Sequence, residues 1–255
     1  MNTQTQKIAL ITGGSRGLGR NTAESLARKG VDAVITYRSR ADEAQAVVAK
    51  LRTEGRKAVA LKLDTGATET FADFAENLKT ALHDTWGRSS FDYMVNNAGI
   101  SHHAAFDNVT EADLDSLYQV HFKGVFFLTQ RLLPLINDGG RIVMLSSGTT
   151  RIIYPGSGAY ASMKGAIEIL TLYLAKELGP RRIAVNTVAP GAIATDFSGG
   201  MVRDNPEVNK IVAGMTALGR AGVPDDIGPA IASLLSDDNR WVNAQRIEVS
   251  GGMSI

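Results

Sequence analysis

The chain contains no cysteine. Disulfides, thiolate nucleophiles and thiolate metal sites are therefore excluded at the outset. Histidine is scarce as well. His83, His102, His103 and His121 are the four present, and no two have the i, i+4 spacing that sets a zinc pair on one helix face. The adjacent His102 and His103 read as loop residues, so no metal site is expected. An excess of one charge is also missing: 27 basic and 26 acidic side chains leave a formal net charge of +1. Bulk electrostatics thus offers nothing to nucleic acid or another polyanion. No long apolar run is found either. The opening MNTQTQK lacks the apolar centre of a signal peptide, and GVFFLTQRLLPLI is broken by Thr129, Gln130 and Arg131, well short of a membrane span. A soluble, cytoplasmic protein with no membrane partner is the expectation. No repeat, low-complexity tract or long linker divides the chain, so residues 1–255 are expected to form a single domain.

What is present is an ordinary globular composition, 44% hydrophobic and 21% charged over 255 residues, enough for one α/β domain with a well-buried core. Short apolar runs alternate with helical patterns about seven times. Ile8–Ile11, Ala33–Tyr37, Ala58–Leu63, Tyr93–Val95, Ile142–Leu145, Arg182–Val188 and Ile247–Val249 read as strands. Helices are expected over Ala41–Thr53, Glu69–Asp84 and Ala159–Leu178. A capping-box variant at Thr110 and Asp113 opens another that runs to about Ile136, and Pro224, Asp225 and Asp226 open the last. This alternation predicts a single doubly wound parallel sheet of about seven strands, Rossmann-type, with helices on both faces.

The first strand meets a glycine cluster, TGGSRGLG, from Thr12 to Gly19, and a helical pattern follows. Glycines there permit positive φ and let backbone approach a pyrophosphate over a helix amino terminus, where free N–H groups favour anions. The spacing Gly13, Gly17, Gly19 departs from G-x-G-x-x-G, but strand, turn and helix give the context in which such a motif means dinucleotide binding. At the end of the second strand a NAD site usually carries Asp or Glu for the ribose 2′-hydroxyl. This chain has Tyr37, Arg38, Ser39 and Arg40 there, with Arg16 close by topology. Guanidinium groups bind a 2′-phosphate where a carboxylate would repel it, so NADP(H) is expected over NAD(H). Asp64, at the end of the third strand, either accepts from the adenine amino group or caps its own turn. The NNAG turn, Asn96 to Gly99, suits a backbone turn beside the cofactor.

The chain is organised around Ile142 to Lys164, IVMLSSGTTRIIYPGSGAYASMK. The strand ends in Ser146 and Ser147, at the carboxyl edge where open α/β sheets place ligands. Tyr160 and Lys164 stand four apart on the next helix, on one face. A phenol, an ammonium and an alcohol brought together are equipment for moving a proton to or from an oxygen. A nearby cation is expected to lower the phenol's pKa.

In this order the motifs resemble those of the short-chain dehydrogenase/reductase family, in its single-domain form, over essentially the whole chain. The resemblance implies that Tyr160 is the general acid in carbonyl reduction, that Ser147 hydrogen-bonds the same oxygen, and that Lys164 holds the ribose and tunes the phenol. It implies cofactor contacts from Gly13, Ser15, Arg16, Gly17, Leu18 and Gly19, from Tyr37, Arg38, Ser39 and Asp64, and from Asn97, Ala98 and Gly99. In PGAIAT, Pro190, Gly191, Ile193 and Thr195 correspond to the segment that holds the nicotinamide amide. Similar proteins are usually homotetramers, with the helices around His121 and Ala166 between subunits. Two departures are visible. His121 stands where the family usually has Asn, which supports a proton-relaying water; either the relay persists through imidazole or His121 is a packing residue. Ala244 stands where similar chains often have Gly, a change expected to affect local packing only.

The leading expectation is an NADP(H)-dependent carbonyl reductase or alcohol dehydrogenase. A 3-oxoacyl thioester reductase of fatty-acid synthesis is an alternative, for which Arg151, Arg181 and Arg203 could offer basic surface to a carrier protein. An idle nucleotide-binding scaffold is another. The expected pocket walls carry Phe106, Ile152, Tyr154, Phe197, Met201 and Met215, which favours a moderately apolar, neutral small-molecule carbonyl.

Overall fold

The structure, a computed structural model, describes residues 6–255. Seven strands form one parallel sheet: β1 (Ile8–Ile11), β2 (Asp32–Tyr37), β3 (Ala58–Lys62), β4 (Phe91–Asn96), β5 (Ile136–Leu145), β6 (Ala184–Pro190) and β7 (Arg246–Val249). Their spatial order is β3-β2-β1-β4-β5-β6-β7. β1 and β4 are buried along their whole length, as near-continuous apolar runs must be when helices cover both faces. Alternate residues of β1 enter different cores. Ile8 and Leu10 join Leu78, Leu82, Leu128 and Ile167 on one face, while Ala9 and Ile11 join Leu26, Val47, Leu51 and Ile231 on the other. Period-two alternation thus serves two apolar layers rather than one.

The first face is covered by α3 (Phe71–Trp86), α5 (Gly124–Leu132) and α6 (Gly158–Glu177); the second by α1 (Gly17–Arg28), α2 (Ala41–Thr53) and α9 (Pro224–Leu234). The chain builds outward from β1 to β3, then returns to build β4 to β7 on the other side. The switch falls between β1 and β4, so their carboxyl ends open the crevice in which such sheets bind ligands.

Three elements differ from expectation. The helix opened at Thr110 does not run unbroken to Ile136. The capping box forms as expected, with Asp113 N donating to Thr110 Oγ1 at 3.2 Å and Thr110 N to Asp113 Oδ2 at 3.1 Å. However, α4 (Glu111–Tyr118) passes into a π turn over Gln119–Lys123 before α5 begins, and Pro134 sits in a closing 3-10 turn at Leu133–Leu135. β5 then starts at Ile136 rather than Ile142. Asn137, Asp138, Gly139 and Gly140 look like a turn but run beside β4, and a Cβ on Gly140 would come within 2.7 Å of Asp92 O. The register with β4 slips there, between Phe91 and Tyr93. The segment after Phe197, where the sequence reading places no helix, holds α7 (Met201–Asp204) and α8 (Pro206–Met215). Asn205 caps α8, accepting from Glu207 N and Val208 N. Finally, Ala244 adopts φ +59°, so its substitution bears on backbone strain and not on packing alone.

Candidate active site

The glycine turn is built by close approach. Gly13 has φ +65° and Gly17 φ +53°, conformations that L side chains resist. A Cβ on Gly19 would lie 2.3 Å from Gly13 O, so α1 packs against the turn only because that position is bare. Above Gly17, by contrast, the first atoms met belong to Thr195 at 3.9 Å. No acidic side chain occupies the first turn of α1, which leaves its N–H groups without a competing anion. Gly17 and Thr195 thus face each other at the mouth of the glycine turn, a cradle with the free N–H groups of α1 beside it. Ser15 and Leu18 lie in the same turn, partly buried, and Arg16 is exposed beside it.

The NNAG turn is stitched to this cradle. Asn97 N and Ala98 N both donate to Thr12 Oγ1, at 2.9 and 3.0 Å, and Asn97 Nδ2 donates to Thr12 O at 2.8 Å. The side chain of Asn97 is therefore spent on holding the two turns together. Gly99 makes room for His121: a Cβ there would lie 2.7 Å from the imidazole Cε1. Asp64 takes the turn-capping contact, accepting from Gly66 N at 2.9 Å. At the end of β2, Tyr37 is partly buried, and Arg38 and Ser39 are exposed. Arg40 is committed to Glu43 at 2.8 Å. Arg16 lies 3.9 Å from Asp196.

Beyond β6, Gly191 is bare because Ser250 Cα would sit 2.9 Å from a Cβ. Ile193 bridges to Gly222, and Thr195 Oγ1 accepts from Phe197 N at 3.2 Å. Pro190 to Thr195 therefore closes one side of the cradle as a braced strand of backbone.

The three groups picked out by spacing converge. Lys164 is buried and donates from Nζ to Leu145 O at 2.8 Å, which ties α6 to the end of β5. Its Nζ lies 5.6 Å from the centre of the Tyr160 ring. Ser147 caps a 3-10 turn, accepting from Thr149 N at 3.2 Å and Thr149 Oγ1 at 3.0 Å, and its hydroxyl is near enough to the Tyr160 phenol to oppose the rise of its pKa. Burial pushes that phenol up to about 12, with the Ser147 hydrogen bond pulling the other way. This reverses the expectation that Lys164 would draw it down. Loss of water around the phenol sets the direction, and Lys164 is itself desolvated and lowered to about 7.

His121 belongs to the same cluster. Its ring meets the Tyr160 ring edge-on, centroids 5.2 Å apart. Nε2 lies 2.7 Å from Ile100 O, to which it donates when it carries the proton, and 3.2 Å from Ile100 N, from which it accepts in the other tautomer. Nδ1 is buried with no partner among the described residues. Burial first, and the charge of Lys164 second, drop the imidazole to about 3. His121 is neutral at physiological pH.

Of the expected walls, Phe197 comes nearest the chemistry, its ring 6.1 Å from that of Tyr160. Tyr154 packs its ring 5.9 Å from His103. Phe106, at 97% exposure, projects into solvent. Glu168 went unnoticed in the sequence, although the four-residue step that pairs Tyr160 with Lys164 leads directly to it. Arg246, its partner at 2.8 Å, gave no local signal.

This geometry has counterparts. A family model described as enoyl-(acyl carrier protein) reductase, of the short-chain dehydrogenase type, matches residues 13–254. A hydroxynaphthalene reductase-like protein of Metarhizium brunneum is 35% identical over 258 residues, covering 96% of this chain and 94% of its own. A promiscuous reductase described as catalysing keto-reduction at C1 during lugdunomycin biosynthesis superposes with a TM-score of 0.93 at 36% identity, over 99% of this chain and 100% of its own. An angucycline C-6 ketoreductase with bound NADP gives 0.92 at 35% identity, over 97% and 95%. Likeness of this extent, running through the glycine turn, the β5–α6 cluster and the last strand alike, makes the chain an oxidoreductase that belongs to the short-chain dehydrogenase/reductase family.

Proposed function

We propose that the protein is an NADP(H)-dependent ketoreductase that interconverts a ketone and its alcohol, with Tyr160 giving and taking the proton. One observation carries this: Ser147, Tyr160 and Lys164 meet where β5 ends and α6 begins. The nicotinamide, when bound, supplies or receives the hydride at the carbonyl carbon. A phenol held up to about 12 is fully protonated at neutral pH, so Tyr160 is ready to donate to the carbonyl oxygen. Ser147 donates to that same oxygen and stabilises the charge growing on it. Lys164 binds the ribose and favours the phenolate left behind.

The cofactor residues follow the cradle. Gly13 to Gly19 take the pyrophosphate, Arg16 and Arg38 with Tyr37 and Ser39 the 2′-phosphate end, and Asp64, through the oxygen that Gly66 N does not engage, the adenine. Asn97 to Gly99 line the ribose, and Pro190, Gly191, Ile193 and Thr195 hold the nicotinamide amide. The bare Nδ1 of His121 supports the relay reading: it accepts from a water that returns protons to Lys164. Residues 1–255 act as one catalytic unit, since one sheet carries both the cradle and the proton donor. The unit works as a cytoplasmic homotetramer.

The substrate we infer is a ketone on or beside an aromatic ring system. Phe197 offers a ring face beside Tyr160, Tyr154 in the loop before it packs its ring with that of His103, and a hydroxynaphthalene reductase-like protein and an angucycline ketoreductase are among the relatives. The acyl-carrier alternative is weaker. Each arginine that could attract an acidic carrier is already held: Arg151 by Glu248, Arg181 by Asp138, and Arg203 by Asp196 and Asp204. A panel of aromatic and thioester ketones, followed by NADPH absorbance, tests the reading. Tyr160→Phe is expected to lower kcat by about 10² to 10⁴; full turnover by that variant overturns it.

A further inference from the structure

The loop that carries Ser147 is anchored at both ends to a single oxygen atom. Glu168 follows Lys164 by one turn of α6, and its Oε1 accepts from Ser146 Oγ at 2.6 Å, from Thr150 Oγ1 at 2.8 Å and from Arg246 Nε at 2.8 Å. Ser146 precedes Ser147; Thr150 closes the short turn that Ser147 caps. The carboxylate is largely shielded, with 19% of its side chain exposed, and so is Arg246 at 27%. Arg246 also reaches Thr150 Oγ1 at 2.9 Å and Glu248 at 3.1 Å, and Glu248 is clasped by Arg151. The edge strand β7 therefore braces the carboxylate from behind. Their one link to the catalytic pair is a long bond from Ser146 Oγ to the backbone Lys164 O at 3.4 Å, and the proposed chemistry does not use them.

We propose that Glu168 is a positioning residue for Ser147: by gathering Ser146, Thr150 and Arg246 on one oxygen, it sets where the Ser147 hydroxyl stands relative to the Tyr160 phenol. This rests on the reading that Ser147 serves the carbonyl oxygen. Three charge-assisted bonds on one shielded atom are stronger and less yielding than three separate neutral ones. A catalytic hydroxyl gains from such bracing because misplacement by about 1 Å can cost about a hundredfold in rate.

A double-mutant cycle on the NADPH-loaded enzyme tests it, using the best ketone of the panel. Glu168→Ala is expected to lower kcat about tenfold or more, with KM and NADPH affinity held within about twofold. Glu168→Gln, which keeps an acceptor oxygen, recovers most of the loss. On a Ser147→Ala background, Glu168→Ala costs nothing further. Thr150→Val removes one of the three donors and serves the same cycle should Glu168→Ala fail to fold. Unchanged kcat in the single variants, or equal losses with and without the Ser147 hydroxyl, overturns the positioning role alone. A Ser147→Ala enzyme at wild-type rate sinks the catalytic reading of Ser147 and this inference with it, an outcome the cycle reads separately.

Discussion

The imidazole of His121 stands at 88° to the phenol ring of Tyr160, held there by Ile100 O and by the missing side chain of Gly99. Neutrality is the consequence. A second ring proton would face burial and the cation of Lys164 together, and the folded protein refuses it down to about pH 3.

Stability should therefore depend on pH through this residue. The unfolded chain takes up the His121 proton near 6.5, and the folded chain near 3. Between those values the unfolded state binds more protons. The contribution is complete above about pH 6.5 and is lost progressively as pH falls toward 3. Between pH 7 and pH 5 the loss amounts to about 2 kcal/mol. Urea denaturation of wild type and His121→Asn at both pH values measures it: the variant should lose about 2 kcal/mol less than wild type. Equal losses would mean that His121 is protonated in the fold.

Arg38 offers a second test. It is exposed at the carboxyl end of β2, while Arg40 is occupied by Glu43, so the phosphate-binding task proposed for this corner falls to Arg38 and Arg16. Arg38→Glu replaces a charge-assisted donor with a repelling carboxylate. KM for NADPH should rise by about ten- to a hundredfold, with KM for NADH little changed. A parallel rise for both cofactors would place Arg38 away from the 2′-phosphate.

What could be read in advance was whatever depends on spacing along the chain. The i, i+4 step from Tyr160 to Lys164, the glycine turn between a strand and a helix, and the capping box at Thr110 survive because covalent geometry alone sets them. What escaped depends on contacts between distant segments. The π turn over Gln119–Lys123 leaves no trace in a helical pattern, yet it lies where His121 turns inward. Gly139 and Gly140 advertise a turn, and only the close passage beside Asp92 shows them to be strand. Glu168 and Arg246 lie 78 residues apart, and nothing local marks them as partners. The pKa of Tyr160 went the wrong way because the sequence displays its cation but not its burial.

Ala244 carries strain that a single change should release. Its φ of +59° is disfavoured for any residue with a Cβ, by about 1–2 kcal/mol. Ala244→Gly removes that penalty but adds unfolded-state entropy, leaving a net gain of about 0.5–1 kcal/mol. Thermal unfolding should shift upward by about 1–4 °C. A fall in melting temperature would show that the methyl group, which packs against the core, contributes more than the backbone loses.

The last prediction concerns the outer helices. Leu114 and Tyr118 on α4, Phe126 and Phe127 on α5, and Ile169, Leu172 and Tyr173 on α6 are all exposed. Within α6 they fall at i, i+3 and i+4, so they form one stripe opposite the buried face of Ile167 and Thr171. Exposed apolar side chains clustered on the outer helices are what a subunit interface requires. Sedimentation of the wild type should therefore give four copies, and Leu172→Glu should dissociate them, because a carboxylate brought into an apolar contact loses its hydration without gaining a partner. Leu172 is exposed and lies on the far side of α6 from the buried Ile167, so the dissociated variant should keep its fold by circular dichroism. A wild type that sediments as a single chain would leave this stripe to some other partner.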